Sequence, residues 1–130
     1  MTFYEKEILR IRMACYSNNR QTQTVIGTRT YIDANFDEEL NMNFLSNVRH
    51  TSKFHLIRLF KKYYGLTPKQ YLITKRINES KKLLKNGVTI AESCYLVGFE
   101  TPSSFSTLFK SRTGLPPVEY QKKQLSQSES

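Results

Sequence analysis

An internal repeat constrains this chain more than any other feature of its sequence. The segment Leu56–Lys61 (LIRLFK) returns as Phe105–Lys110 (FSTLFK), an offset of 49 residues. The same offset pairs Gly65 with Gly114, Leu66 with Leu115, Pro68 with Pro117 and Tyr71 with Tyr120. A fold built from this sequence must therefore use one local plan twice. Only two copies fit within 130 residues, which points to a duplicated unit rather than a solenoid.

Each copy reads as a helix that stops at a glycine, the residue favoured where the chain turns left-handed after a helix. Ser52 and Thr101 stand at the N-cap positions, and Pro102 fits the first helical turn, where its missing N–H costs nothing. A short apolar segment precedes each copy: Met42, Leu45 and Val48 before the first, Ile90, Cys94 and Val97 before the second. Gly98 supplies a turn in the second copy. Short helix, tight turn, second helix is the helix-turn-helix plan, here present twice.

Between the copies, Leu72, Ile73, Arg76, Ile77, Ser80, Leu83 and Leu84 fall within an arc of roughly 140° at about 100° per residue. Lys75, Lys81, Lys82 and Lys85 lie on the other side. This pattern predicts one amphipathic helix over residues 67–85, ~28 Å long at ~1.5 Å per residue, suited to act as a rigid spacer. Arg76 faces the apolar arc, so it must pair or snorkel. It is read as structural, with Glu92 as its expected carboxylate partner and a direct contact to nucleic acid as the alternative.

The fold class expected is all-α, with a first unit over residues 29–66, the linker helix over 67–86 and a second unit over 87–124. Residues 30–36 are expected to form a short leading helix. Residues 1–28 are an extension or linker in which Ile8, Leu9 and Ile11 fit either a short helix or a strand, and Ser17 to Thr24 reads as polar linker. Residues 125–130 are expected to be disordered.

Charge is distributed unevenly. Residues 51–123 hold fourteen Lys and Arg against four Glu, whereas residues 1–50 hold six basic and six acidic side chains. A basic C-terminal half fits a polyanionic partner, and equally a soluble surface that uses lysine. Two cysteines and two histidines supply neither a disulfide framework nor a zinc ligand set, and Cys94 reads as a core residue. No paired carboxylates, metal cluster or nucleophile–base set points to an enzyme, and no metal, cofactor or small-molecule ligand is expected within this segment. The charged start has no signal-peptide core and no run reaches membrane-spanning length, so a cytoplasmic protein away from membranes is expected.

The second helix of each pair presents an unusual outer face. Over Ser52–Tyr64, Leu56, Leu59, Phe60 and Tyr63 share the core side, leaving Phe54, Ile57, Arg58 and Lys61 opposite. Two apolar residues beside two cations fit a major-groove surface: Arg58 offers a bidentate pair to guanine, Phe54 and Ile57 reach thymine methyl groups, and Lys61 reaches a phosphate. The alternative is a protein-binding patch centred on Phe54 and Ile57. Over Thr101–Thr113 the core side is Phe105, Leu108 and Phe109, and Ser103, Ser104, Ser106, Thr107, Lys110 and Ser111 point outward. Short hydroxyls and one Lys can hold phosphates but cannot form an arginine–guanine fork, and a plain solvated face fits them too.

Taken in order, Ser52, His55-Leu56, Arg58, Phe60-Lys61, Gly65, Pro68, Tyr71-Leu72, Arg76-Ile77 and Leu83-Leu84 resemble the AraC/XylS-type DNA-binding domain. Ile90, Val97-Gly98-Phe99, Ser103, Phe105, Phe109-Lys110, Gly114, Pro117 and Tyr120 continue the resemblance, which covers roughly residues 30–123. It implies about seven helices in two helix-turn-helix units joined by a long helix. It also implies a regulator of transcription that binds double-stranded promoter DNA. An activator is expected although the sequence does not fix the sign of regulation, and RNA polymerase is the expected protein partner, the one a protein-binding Phe54 and Ile57 face would meet. The two recognition helices would enter successive major grooves, and the spacer length is compatible with one turn of DNA, ~34 Å. The base-reading surface carried over is Lys53, Phe54, Ile57 and Arg58 in the first unit, and Pro102, Ser103, Ser104 and Thr107 in the second. Ser52, Lys61, Thr101 and Lys110 are the phosphate contacts. The sequence departs from the family pattern at Ile57, where a polar reader is common, and at Thr107, where Arg is common. Ser46 and Cys94 replace the usual Ala, and Ser93 replaces a large aliphatic residue. Family members often carry a separate sensing or oligomerisation domain ahead of this unit, so the chain is expected to be either a stand-alone regulator or the C-terminal piece of a longer one.

Overall fold

A computed structural model of the chain describes residues 2–128. Among the described residues the architecture is all-α, with helices α1 (Phe3–Ala34), α2 (Met42–Val48), α3 (Lys53–Tyr64), α4 (Pro68–Lys85), α5 (Ile90–Leu96), α6 (Pro102–Thr113) and α7 (Pro117–Ser128). They fall into two compact units. One comprises the chain up to Ile32 with Asn41–Pro68, and the other comprises Asp33–Leu40 with the residues from Lys69 onward.

In the first unit, α2 and α3 supply Leu45, Leu56, Leu59 and Phe60 to the core, and α1 supplies Val25, Thr28 and Ile32. The expectation of a polar linker before a short helix is corrected here: a single 32-residue helix runs through both. Its amphipathic signal is weak because only its last third packs against this core, at the helical spacing of Val25, Thr28 and Ile32. Thr22, Thr28 and Thr30 each donate their hydroxyl to the carbonyl four residues earlier, at 2.8–2.9 Å, which lets polar side chains stay within the helix. Tyr63 is also corrected. It is 41% exposed rather than core, with its hydroxyl 3.5 Å from the Thr22 hydroxyl. Tyr64 takes the inward place, its ring 4.8 Å from that of Phe60 and covered by the Arg29 guanidinium.

The second unit is built around Ile77, Leu84, Cys94, Val97, Phe99, Phe105 and Phe109. α4 contributes Ile77, Leu84 and the partly buried Ile73 and Leu83, so the predicted spacer is also a wall of this core. Ser80, also on that arc, is buried and donates its hydroxyl to the Ile77 carbonyl at 2.7 Å. The aromatic rings form a chain, Phe99 to Phe105 to Phe109 to Tyr120, with successive centroids 5.2–5.6 Å apart. α7 continues to Ser128, which corrects the expected disorder from Leu125. Residues 129–130, the rest of that expected tail, lie outside the described residues.

Arg76 is structural, but its partner is not Glu92. Its Nε donates to the Phe36 carbonyl at 2.6 Å and a terminal nitrogen donates to the Glu38 carbonyl at 2.7 Å, while the guanidinium lies over the Phe99 ring. The short Asp33–Leu40 segment, where α1 ends, is thereby clamped to α4. Tyr71 adds a second clamp, donating its hydroxyl to Asp33 at 2.6 Å. Backbone carbonyls suit a half-buried arginine because they satisfy its planar donors without burying a second charge. Burial pulls the Arg76 pKa down, and Asp37 opposes that pull.

The helix-turn-helix turns are built alike. Thr51 N–H donates to the Ser46 carbonyl at 3.0 Å, and Phe99 N–H donates to the Cys94 carbonyl at 3.1 Å. The left-handed position inside each turn is His50 (φ 54°) in the first unit and Gly98 (φ 99°) in the second.

Candidate nucleic-acid interface

The second helix of each pair is closed at both ends by its own sequence. The Ser52 hydroxyl accepts the His55 N–H at 3.1 Å, and the Thr101 hydroxyl accepts the Ser104 N–H at 3.2 Å. At the other ends Gly65 and Gly114 sit at φ 75° and 86°, and their N–H groups return to the Lys61 and Lys110 carbonyls at 2.8 Å. Capping fixes where α3 and α6 begin, and hence which side chains face outward.

On α3 the outward face carries Lys53, Phe54, Arg58, Lys61 and Lys62, with no carboxylate in the helix. Phe54 is 69% exposed, with the Lys53 ammonium 5.3 Å from its ring centroid. The Lys53 ammonium makes a cation–π contact with this ring, so an aromatic surface and positive charge face outward together. Ile57 is half-buried and sits at the edge of this face rather than at its centre. On α6, Pro102, Ser103, Ser104, Thr107 and Lys110 are exposed, and Ser106 is half-buried. The Ser104 hydroxyl accepts from the Thr101 hydroxyl at 3.0 Å, so both are part of the cap as well as the face. Arg112 reaches Thr74 on α4 at 3.0 Å, and Lys110 is the outward cation. Among the described residues no carboxylate pairs with Arg58, Lys61 or Lys110.

The predicted face residues therefore divide as the helix wheel separates them, except for Ile57 and Ser106, which are half-buried. Sequence reasoning missed two caps that position the first helices of the pairs. Asn41 accepts the Phe44 N–H at 3.0 Å, and Thr89 accepts the Glu92 N–H at 3.2 Å. The second carries a legible signal, since Thr followed three residues later by Glu is the capping-box spacing. Cys94 is a core residue: its thiol is buried, 3.8 Å from the Phe99 carbonyl, and burial pushes its pKa up, away from thiolate chemistry. No helix among the described residues is long and apolar enough to cross a membrane.

A family model described as a helix-turn-helix domain matches residues 45–123. This chain belongs to the AraC-type helix-turn-helix family, the DNA-binding domains of transcription regulators. It is 36% identical over 91 residues to the bifunctional transcriptional activator/DNA repair enzyme AdaA of Bacillus subtilis, covering 69% of this chain and 43% of that protein. A crystal structure of a transcriptional regulator with an AraC-type DNA-binding domain, from Chromobacterium violaceum, superposes with a TM-score of 0.68 at 25% identity. It covers 85% of this chain and 96% of that one. The DNA-binding domain of AdpA, solved in complex with a target DNA, shares the fold with a TM-score of 0.74 at 21% identity, over 79% of this chain and 94% of that one. The chain spans less than half the length of the curated relatives AdaA and, from the same organism, YbfI.

Proposed function

We propose that this AraC-type domain binds double-stranded promoter DNA and activates transcription in the cytoplasm, with α3 and α6 in successive major grooves. The observation that carries the reading is the α3 face: Phe54 and Arg58 stand outward on a helix capped at both ends and free of carboxylates. Arg58 selects a guanine, Lys53 and Phe54 complete the base contact, and Ile57 closes its edge. Pro102, Ser103, Ser104 and Thr107 lie along the groove contacted by α6, while Ser52, Lys61, Thr101 and Lys110 hold phosphates. Activation is supported by the activator named among the relatives. The repair activity in that same name belongs to a protein more than twice as long as the matched segment, and this chain's own role is binding rather than catalysis. RNA polymerase is the proposed protein partner.

Selection of bound duplexes from random DNA tests this, and the selected half-sites should lie about 10 base pairs apart. On a selected site Arg58→Ala should cost ~1–3 kcal/mol and relax one base position, whereas Lys110→Ala should weaken all sequences alike. Equal losses on cognate and random DNA would sink the base-reading role of Arg58. The exposure of Phe54 favours one other reading, a protein-binding patch, which gains if no duplex is preferred over random DNA.

A further inference from the structure

Beside α3, the first unit holds a cleft of about 250 Å³ between α1, the helix-turn-helix turn and α3. Arg20 and Thr24 line it from α1, Arg49 and His50 from the turn, and His55 and Leu59 from α3. No carboxylate lines it. Two local features accompany this arrangement. Gly27 stands inside the last third of α1, where glycine is worse than alanine by about 1 kcal/mol. A Cβ there would overlap the Arg49 guanidinium, which lies against the helix. His50 holds a left-handed conformation that glycine adopts more easily. The equivalent turn of the second unit has Val97 and Gly98, and Ser104 stands at the place of His55, so the duplicated plan does not itself require Arg49, His50 or His55.

We propose that this cleft binds a phosphate group, with Arg20 and Arg49 as the charged forks and His50, His55 and Thr24 as further hydrogen-bonding groups. The phosphate comes either from the backbone of the duplex read by α3 or from a free phosphorylated compound. Only the first source rests on the DNA-binding reading above.

The two histidines of the cleft are the only ones in the chain, so their imidazole proton resonances report on this site without assignment ambiguity. Inorganic phosphate added to the full chain should shift both resonances saturably, while chloride at equal ionic strength should not. In parallel, binding of a random-sequence duplex is measured across a salt series for the wild type and for Arg20→Gln/Arg49→Gln. Backbone phosphate as the source predicts a salt slope lower by about 0.9 in the variant, since one neutralised phosphate is lost. A free compound as the source predicts an unchanged slope with saturable phosphate shifts. The absence of both a phosphate-specific shift and a changed slope overturns the proposal. Gly27→Ala keeps every charge but displaces the Arg49 guanidinium, and it should weaken the phosphate response while helicity by circular dichroism is retained. A full response in that variant overturns the role given to Arg49. If the chain prefers no duplex, the promoter reading fails while the phosphate titration still decides the cleft.

Discussion

The two helix-turn-helix units share a skeleton and differ in what they place on it. Their turns are closed by equivalent backbone hydrogen bonds, yet the left-handed position is His50 in one and Gly98 in the other. Behind the turns, the first unit buries Leu45 where the second buries Ser93. In front of them, α3 shows Phe54 and Arg58 and α6 shows Ser103 and Thr107. The difference teaches that hydrogen-bonding geometry and a few apolar anchors suffice to define the unit. The remaining positions are free to diverge, outward for recognition and inward at a cost in stability.

The turn should separate the units most sharply. A Cβ on Gly98 would come within 2.7 Å of the Asp37 carbonyl oxygen in a left-handed conformation, so Gly98→Ala should cost about 3 kcal/mol in urea unfolding. His50→Gly, at the matching position, should instead stabilise by up to about 1 kcal/mol. Equal costs at both positions would break the equivalence drawn here.

Arg76 has no counterpart in the first unit. Arg76→Ala removes its packing on Phe99 and leaves the Phe36 and Glu38 carbonyls without their donor, which should cost about 2 kcal/mol. Glu92→Gln should leave stability nearly unchanged, and a loss as large as that of Arg76→Ala would restore the ion pair rejected above.

Ser93 is buried with no hydrogen-bond partner for its hydroxyl, whereas the buried Ser46 of the first unit donates to the Asn43 carbonyl at 3.1 Å. Ser93→Ala should therefore stabilise by about 1 kcal/mol while Ser46→Ala stays near neutral, both read from urea midpoints.

The smallest effect expected is one of pH. Glu79 on α4 accepts a hydrogen bond from Lys82 at 3.0 Å and lies 3.3 Å from Lys75, and chiefly the Lys82 bond holds its pKa below the ordinary carboxylate value. A depressed carboxylate stabilises the fold above its unfolded pKa and loses that contribution as pH falls through the folded value. Glu79→Gln should accordingly flatten the acid limb of stability below about pH 4.5, with little change at neutral pH. An unchanged acid limb would show that the two lysines contribute nothing there.

Much of this molecule could be read from its residues. The repeat, the glycines at 65 and 114 and the caps Ser52 and Thr101 were legible because each is a local requirement of helix ends, met by particular residue types at fixed spacing. The outward faces of α3 and α6 followed from helical period alone. Tyr63 and Ile57 were misplaced by the same wheel, because a wheel states direction and not what stands in that direction. Arg76 was seen to need a partner, but backbone carbonyls of the Asp33–Leu40 segment carry no sequence signature and a carboxylate was the only partner a sequence could name.

What the sequence determined by itself is the duplicated helix-turn-helix plan and the chemistry of its two faces, since both rest on contacts within a few residues along the chain. Tertiary structure alone decided the length of α1, the clamp on Arg76, the loss of a partner for Ser93 and the gathering of Arg20, Arg49, His50 and His55 around one cleft. The Arg76 clamp and the cleft join residues far apart in the chain, and burial and close approach set all four outcomes where local periodicity is silent.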